Sequence, residues 1–485
     1  MLATSDSSNF RRLALVGIAG TVVLIIVLLN LPLVAWTDRL ADLEIGQLVL
    51  AHRKASALTA LLLVALIGAW VLYERRWGLL RKLCAAAYIM MFVVAAYAFQ
   101  RAYPRADVFS LSRIQDSGAI LLGKDIRLSQ YDPRSTLVLK RRAVERAAFP
   151  AIDIHFHLES LPPTVTAEQL VKAMDAAGVA KLVHLGGLET TFDAQARAFR
   201  DKYPDRFIFF AKPDPGALQR ANGVAQQVEW LKRAARMGAR GVKENKSYGL
   251  SQLDADGKVV AIDDPRMDPV WETAGKLGMP VLMHTAEPAG FFAPTDEHNE
   301  RLLELLRYPG FSLYGPGTPS HKDLMDQRER LLAKHPGTNF IGAHFGMNPE
   351  DLAYVGYMLD KYPNYYVDMS SVVQELGRQP YSARRFFIRY QDRILFGTDG
   401  GFGNDPAGEW PAERMYRSYF EFLETDNEYF DYPMKSISKQ GTWEIYGIDL
   451  PPEVLEKIYV RNAERLLPTD AAIEAGLAAL AAPGN

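Results

Sequence analysis

The apolar run Phe149-Pro-Ala-Ile-Asp-Ile154 leads into His155-Phe156-His157, two histidines one residue apart. Alternate side chains of a β-strand share a face, so both imidazoles would leave such a strand on one side, spaced to grip one metal ion. Three later apolar runs end in residues of the same kind: Val281-Leu-Met-His284, Phe340-Ile-Gly-Ala-His344 and Ile394-Leu-Phe-Gly-Thr-Asp399. A random scatter of nine histidines would not recur at run ends in this way. The single cysteine, Cys84, lies in an apolar stretch far upstream, so any metal must be held by histidine and carboxylate.

The elements that would position these residues alternate. From Phe149 onward, short apolar runs are separated by longer stretches with apolar residues at helical spacing, the pattern of βα repetition and a parallel sheet. The expected strands are Ala151–His155, Lys181–Leu185, Phe207–Lys212, Ala239–Lys243, Pro280–His284, Asn339–His344, Tyr365–Met369 and Arg393–Gly397. The expected helices include Ala167–Ala177, Ala217–Met237, Pro269–Leu277, Glu350–Lys361 and Ser382–Tyr390. Eight strands separated by helices predict an α/β fold, a (β/α)8 TIM barrel over 149–485 with helices added after the eighth strand. Active sites of such barrels lie at the C-terminal ends of the strands, where His155, His157, His284, His344 and Asp399 all fall.

Before the barrel, residues 101–148 form a turn-rich, charged connector. Residues 1–100 predict a membrane anchor with two or three transmembrane helices, at about 13–36, 55–73 and 83–99, each stretch free of charged side chains. Six basic residues (Arg11, Arg12, Arg75, Arg76, Arg81, Lys82) flank one side of these spans, against Arg39, Arg53 and Lys54 on the other, which puts the N-terminus inside. Three crossings place the barrel on the extracytoplasmic side of a bacterial-type inner membrane; two would leave it cytoplasmic. The expected partners are a small-molecule substrate and the lipid bilayer, with oligomerisation left open. A net charge of -2 gives no reason to expect nucleic acid.

The His-x-His after strand one, single histidines after strands five and six and an aspartate after strand eight resemble the amidohydrolase superfamily. Ile-Asp-Ile-His-Phe-His157, Ile-Gly-Ala-His-Phe-Gly346 and Leu-Phe-Gly-Thr-Asp-Gly400 are most similar to its amidohydrolase-related branch, which holds decarboxylases and hydratases as well as hydrolases. The resemblance covers roughly residues 149–467 and implies that His155, His157, His284 and Asp399 hold one divalent ion, Zn2+ in preference to others and one ion in preference to two. In keeping with it, Asp399 would relay a proton between water and leaving group, and His344 would polarise a substrate carbonyl. A strand-four lysine bridges two ions in other branches; here it is expected at the substrate, so Lys243, Glu287 and His184 are the expected substrate contacts. Glu244 and Lys246 look like solvated loop charges, and His52, His298, His321 and His335 like surface residues.

The expected activity is hydrolysis of an amide, ester or lactone-like bond. Two alternatives stay open: a metal-dependent decarboxylase of an unsaturated or aromatic carboxylic acid, and a membrane-tethered scaffold without activity. Walker-type phosphate loops, Gly-x-Gly-x-x-Gly, His-Glu-x-x-His and Gly-x-Ser-x-Gly are all absent from the sequence.

Overall fold

A parallel sheet runs through the chain in strict sequence order, β1 to β8, each strand paired with the next. The strands are β1 (Ala151–Phe156), β2 (Val179–Leu188), β3 (Phe207–Lys212), β4 (Ala239–Glu244), β5 (Val281–Met283), β6 (Phe340–Gly342), β7 (Tyr365–Asp368) and β8 (Ile394–Leu395). The computed structural model describes residues 134–482 except 245, 402–411, 434 and 436–439. The three apolar stretches expected to cross a membrane lie outside the described residues. Among the described residues, no helix is long and apolar enough to cross one.

The sheet closes on itself. Ile154 N–H donates to Phe396 O, Asp399 N–H to His155 O and His157 N–H to Gly400 O, so the segment after β8 runs alongside β1. That contact is tight: at Gly401, with φ +118°, a Cβ would lie 2.2 Å from His157 O, and only glycine fits.

Two apolar layers hold the barrel. Ile152, Ile154, Val183, Leu185, Phe210, Leu282, Ile341 and Leu395 pack together on the inner faces, joined by Ala463 and Leu466. Each fully buried Leu or Ile there contributes roughly 1.5–3 kcal/mol. The alternate residues, such as Leu182, Phe209, Val242 and Met283, belong to the cluster beneath the helices. The expected (β/α)8 architecture is what the chain forms, with α1 (Ala167–Ala177), α2 (Gly223–Arg236), α3 (Asp268–Lys276), α4 (His321–Lys334), α5 (Leu352–Lys361) and α6 (Pro380–Arg389) between strands. Local chemistry sets their limits. Thr166 and Gln169 form a reciprocal cap at the start of α1, and left-handed Gly178 ends it. After the barrel come α7 (Ala412–Glu424) and, within the Ala-rich tail, α8 (Asp470–Ala481).

Residues 134–148, assigned to the connector by sequence, group with the barrel rather than with what precedes it. Arg142 exchanges two hydrogen bonds with the Asn427 side chain, and Ala148 N–H donates to Glu424 Oε1.

Strands β5, β6 and β8 are shorter than the sequence pattern predicts. Their ladders stop before His284, His344 and Asp399, and the backbone turns left-handed at His344, at Asp399 and, two residues past His284, at Ala286. Ala286, His344, Phe345, Met347, Ser371 and Asp399 all have φ between +54° and +66°. For residues with a Cβ this conformation costs about 1–2 kcal/mol each, and such strain gathers at functional sites. The turn after β6 is held from α4: Arg328 Nη1 donates to Gly346 O, and His321 Nε2 lies 2.9 Å from Met347 O. His321 is therefore a structural residue, not the surface residue expected. His335 is likewise buried, 3.0 Å from Asp268.

Candidate metal centre

The strand-end residues converge. His155 Nε2 lies 3.2 Å and His157 Nε2 3.3 Å from the same atom, Asp399 Oδ1. Each ring is turned by a carboxylate behind it. His155 Nδ1 is 2.9 Å from Asp368 Oδ2, and His157 Nδ1 is 2.9 Å from Glu159 Oε1. A carboxylate can only accept, so each Nδ1 donates, and in the neutral rings each Nε2 would direct its lone pair at Asp399. Three lone-pair atoms facing one another repel unless a proton or a metal ion sits among them, and without a metal ion a proton on His155 takes that place. Ligands at 2.0–2.1 Å from a tetrahedral zinc ion are themselves roughly 3.3 Å apart, which is the separation found here.

The charges fit a cation as well. Burial disfavours an imidazolium at His155, yet Asp368 and Asp399 outweigh it and push His155 up to about 9. Burial also opposes ionisation of Asp399, and His155 with His157 overcomes it, holding the carboxyl well below its usual range.

His284 stands one imidazole further along. His344 packs between it and His155, with ring centroids 4.6 and 5.0 Å away. The protons on this pair follow from one carbonyl. His344 Nδ1 is 2.8 Å from Ser370 O and must donate to it, so the neutral ring has only a lone pair at Nε2. His284 Nδ1, 3.2 Å from that atom, then donates and leaves Nε2 as a lone pair. That Nε2 forms no hydrogen bond, and Glu287 Oε2 stands 3.6 Å from it. Burial keeps both rings neutral, with His284 down to about 3. In this tautomer His344 Nε2 accepts, so polarising a carbonyl as expected would require His344 to be protonated first.

Two residues that sequence reasoning missed hold the centre together. Asp368 Oδ1 accepts from His344 N–H and Ser370 N–H while Oδ2 takes His155, so one buried carboxylate fixes β1, β6 and β7. Asp153 accepts from His155 N–H, Thr398 N–H, Thr398 Oγ1 and Tyr416 Oη, tying β1 to the segment that carries Asp399.

A cavity of about 440 Å³ opens over these residues, lined by His157, His284, His344 and Asp399. Lys243 and Glu287 line it too, as expected. Glu287 is 2.7 Å from Lys246 Nζ. Glu244, expected as a solvated charge, is buried with its carboxyl unpartnered, and burial pushes it up to about 8. His184 does not reach the cavity. It is fully buried, its Nδ1 accepting from Leu158 N–H and Gly186 N–H and its Nε2 meeting Gln195 Oε1. β2 continues four residues past it, so His184 never stood at a strand end.

Opposite the lysines, Arg301 bonds Glu304 and Glu375, both at the cavity wall with Glu350. Phe291, Phe311 and Val372 supply an apolar wall.

Residues 131–469 match the family described as amidohydrolase. No curated protein matches the chain. Among solved structures, an uncharacterized TIM-barrel protein from Bordetella bronchiseptica is 17% identical, covering 67% of this chain and 99% of its own, with TM-score 0.41. An amidohydrolase II is 16% identical over 65% of this chain and 99% of its own, TM-score 0.40. An amidohydrolase from Burkholderia multivorans, solved with bound zinc, is 11% identical over 66% and 99%, TM-score 0.38. The family match spans more than half of the residues, and the chain belongs to the amidohydrolase family.

Proposed function

We propose that the barrel is a metal-dependent hydrolase of an amide, ester or lactone-like bond in a small molecule, using one Zn2+ ion. His155, His157 and Asp399 would hold the ion. His284, expected as the fourth ligand, stands beyond His344 and outside that group, so it would have to move inward to donate. The observation that carries this reading is the approach of two imidazole nitrogens, on rings turned by carboxylates behind them, to one carboxylate oxygen at 3.2 and 3.3 Å. When bound, a zinc ion supplies the Lewis acidity that brings the ionisation of water down to about pH 7. The protein's own residues do the rest. Both histidines meet Oδ1 of Asp399, which leaves Oδ2 to take a proton from water and return it to the leaving nitrogen or oxygen. Phe291, Phe311 and Val372 would seat the apolar part of the substrate and exclude water beside it.

A decarboxylase is the second reading, and the lysines facing the cavity favour it because they suit a carboxylic acid. Metal analysis of the purified full-length chain tests the common part: one zinc per chain is expected, and a metal-free protein would return the chain to the scaffold reading. Incorporation of labelled water oxygen into product separates hydrolase from decarboxylase, which would release CO2 instead. We also place the barrel outside a bacterial-type inner membrane, supported by the three uncharged stretches within 13–99. A C-terminal reporter active on only one side of the membrane tests that topology.

A further inference from the structure

Lys212 ends β3 and Lys243 stands one residue before the end of β4. These parallel neighbours pair in the register Ala211 with Val242, so the next step along the ladder sets Lys212 beside Lys243. Both line the cavity that His157, His284 and Asp399 also line.

The other cations on this cavity have carboxylate partners. Lys246 has Glu287 at 2.7 Å, and Arg301 has Glu304 and Glu375. The Lys212 ammonium forms no hydrogen bond or ion pair among the described residues, its backbone lying in the β2–β3 ladder. Lys243, only 6% exposed, donates to Glu244 O and has no carboxylate partner. The adjacent Glu244 side chain does not serve, because its buried carboxyl forms no ion pair with either lysine. Nor are the metal-centre carboxylates available: Asp368 holds His155, His344 and Ser370, and Asp399 meets His155 and His157. Two neighbouring ammonium groups in one cavity repel each other, and among the described residues neither forms an ion pair with a carboxylate. Glu244, Asp399 and Asp368 act on Lys243 only from beyond bonding distance. A carboxylate on the ligand would supply the close partner that both lack.

We propose that Lys212 and Lys243 clamp a carboxylate of the substrate, one ammonium to each oxygen, while the bond to be broken lies at the histidines. This rests on the hydrolytic reading of the metal centre; in a decarboxylase the clamped carboxylate would have to be a second one, distinct from the group lost as CO2. Two point-charge donors match the two oxygens of a monoanion. Glu287, Glu304, Glu350 and Glu375 on the same cavity disfavour a polyanion such as phosphate. The substrate class is therefore a small acid with an apolar body.

Benzoate serves as probe, with benzamide as its neutral counterpart and inorganic phosphate as the competing anion. Binding to the zinc-loaded full-length chain is followed by calorimetry, and zinc content is measured alongside. Benzoate should bind at least tenfold more tightly than benzamide or phosphate. K212M and K243M should each weaken it about tenfold with zinc content unchanged, and K212R should restore most of the loss. K212M removes a half-exposed side chain, so it keeps the test open if K243M fails to fold. Unchanged benzoate affinity in K212M, no saturable benzoate binding to wild type, or tighter binding of phosphate would each overturn the clamp. Repeating the titration on metal-free protein separates the two ideas. There, binding that still depends on the lysines supports the clamp even if zinc proves absent from the native protein.

Discussion

Two arcs of one barrel rim treat charge in opposite ways. Where β8 returns to β1, the acidic side chains are spoken for: Asp153, Asp368 and Glu159 each take histidine or backbone donors, and Asp399 collects two imidazoles. Where β3 meets β4, Lys212 and Lys243 face the cavity and, among the described residues, neither forms an ion pair with a carboxylate; the one carboxyl there, Glu244, is buried without a partner. The backbone differs as well, with a ladder between β3 and β4 but only an isolated bridge and a left-handed turn at Asp399 along the seam. The contrast in charge, however, is one of side chains. The difference lies in how many carboxylates each strand end carries. The seam has an excess of acceptors and calls for a cation; the β3–β4 arc has an excess of ammonium and calls for an anion. A rim divided in this way can hold a metal and an acidic substrate side by side without either displacing the other.

The contrast is most easily broken at Asp399. Asp399→Asn keeps the shape but loses the charge that both histidines face and the base that Oδ2 would provide. Turnover should fall by about 10²–10⁴-fold, the usual contribution of a positioned proton-transfer group. Zinc content should fall as well, read by metal analysis of the purified variant. A variant with full zinc and near-normal turnover would mean that the seam is not where the reaction occurs.

Asp368→Asn probes the same arc one bond further back. Asp368 touches no substrate; it turns His155 and anchors the strained turn at His344. Losing such an orienting carboxylate typically weakens metal binding by about 10–100-fold. Competition with a chelator would measure this, and far-ultraviolet circular dichroism should show an intact barrel. Affinity within a factor of two of wild type would show that the ligands hold their places without the seam's network, and the contrast between the arcs would lose its structural basis.

How much of this was legible in the sequence follows from what each residue needs. His155, His157, His284, His344 and Asp399 could be found because a metal ligand must stand at a strand end, and apolar runs advertise where strands end. Asp368 obeys the same rule, closing the run Tyr365-Tyr-Val-Asp368, but one aspartate at the end of a short run resembles any polar residue leaving a core. Lys212 closes Phe207–Lys212 in the same way, and the meaning of its charge appears only once its ammonium is known to lack an ion-pair partner. His184 misled in the other direction, because β2 runs on to Leu188 and carries it inside the wall. Arg301 sits in the long β5–β6 connection, where no periodic pattern marks which face it presents. The left-handed turn His344–Met347 has only one glycine in four residues, and no local propensity announces it.

A smaller effect sharpens the charge argument on a third wall. Arg301 is buried between Glu304 and Glu375, with Glu350 and Arg378, both more exposed, close by. The cations here do not keep every carboxylate ionised. Burial accordingly raises all three, with Glu375 up to about 8, and Glu375 Oε2 is left without a partner. A carboxyl whose folded pKa lies above its unfolded value stabilises the fold while protonated, and that contribution fades as pH rises through the folded value. Glu375→Gln imitates the protonated acid and keeps the oxygen that Arg301 meets. Wild type should therefore lose stability relative to E375Q between pH 5 and pH 8, by on the order of 1–3 kcal/mol. Urea unfolding of both proteins at the two pH values measures the difference. An equal gap at pH 5 and pH 8 would show that Glu375 stays ionised throughout, paired with Arg301 alone. The rim's surplus charges would then have to be neutralised by protons or ions elsewhere, and the absence of an ion pair at Lys212 would lose its force.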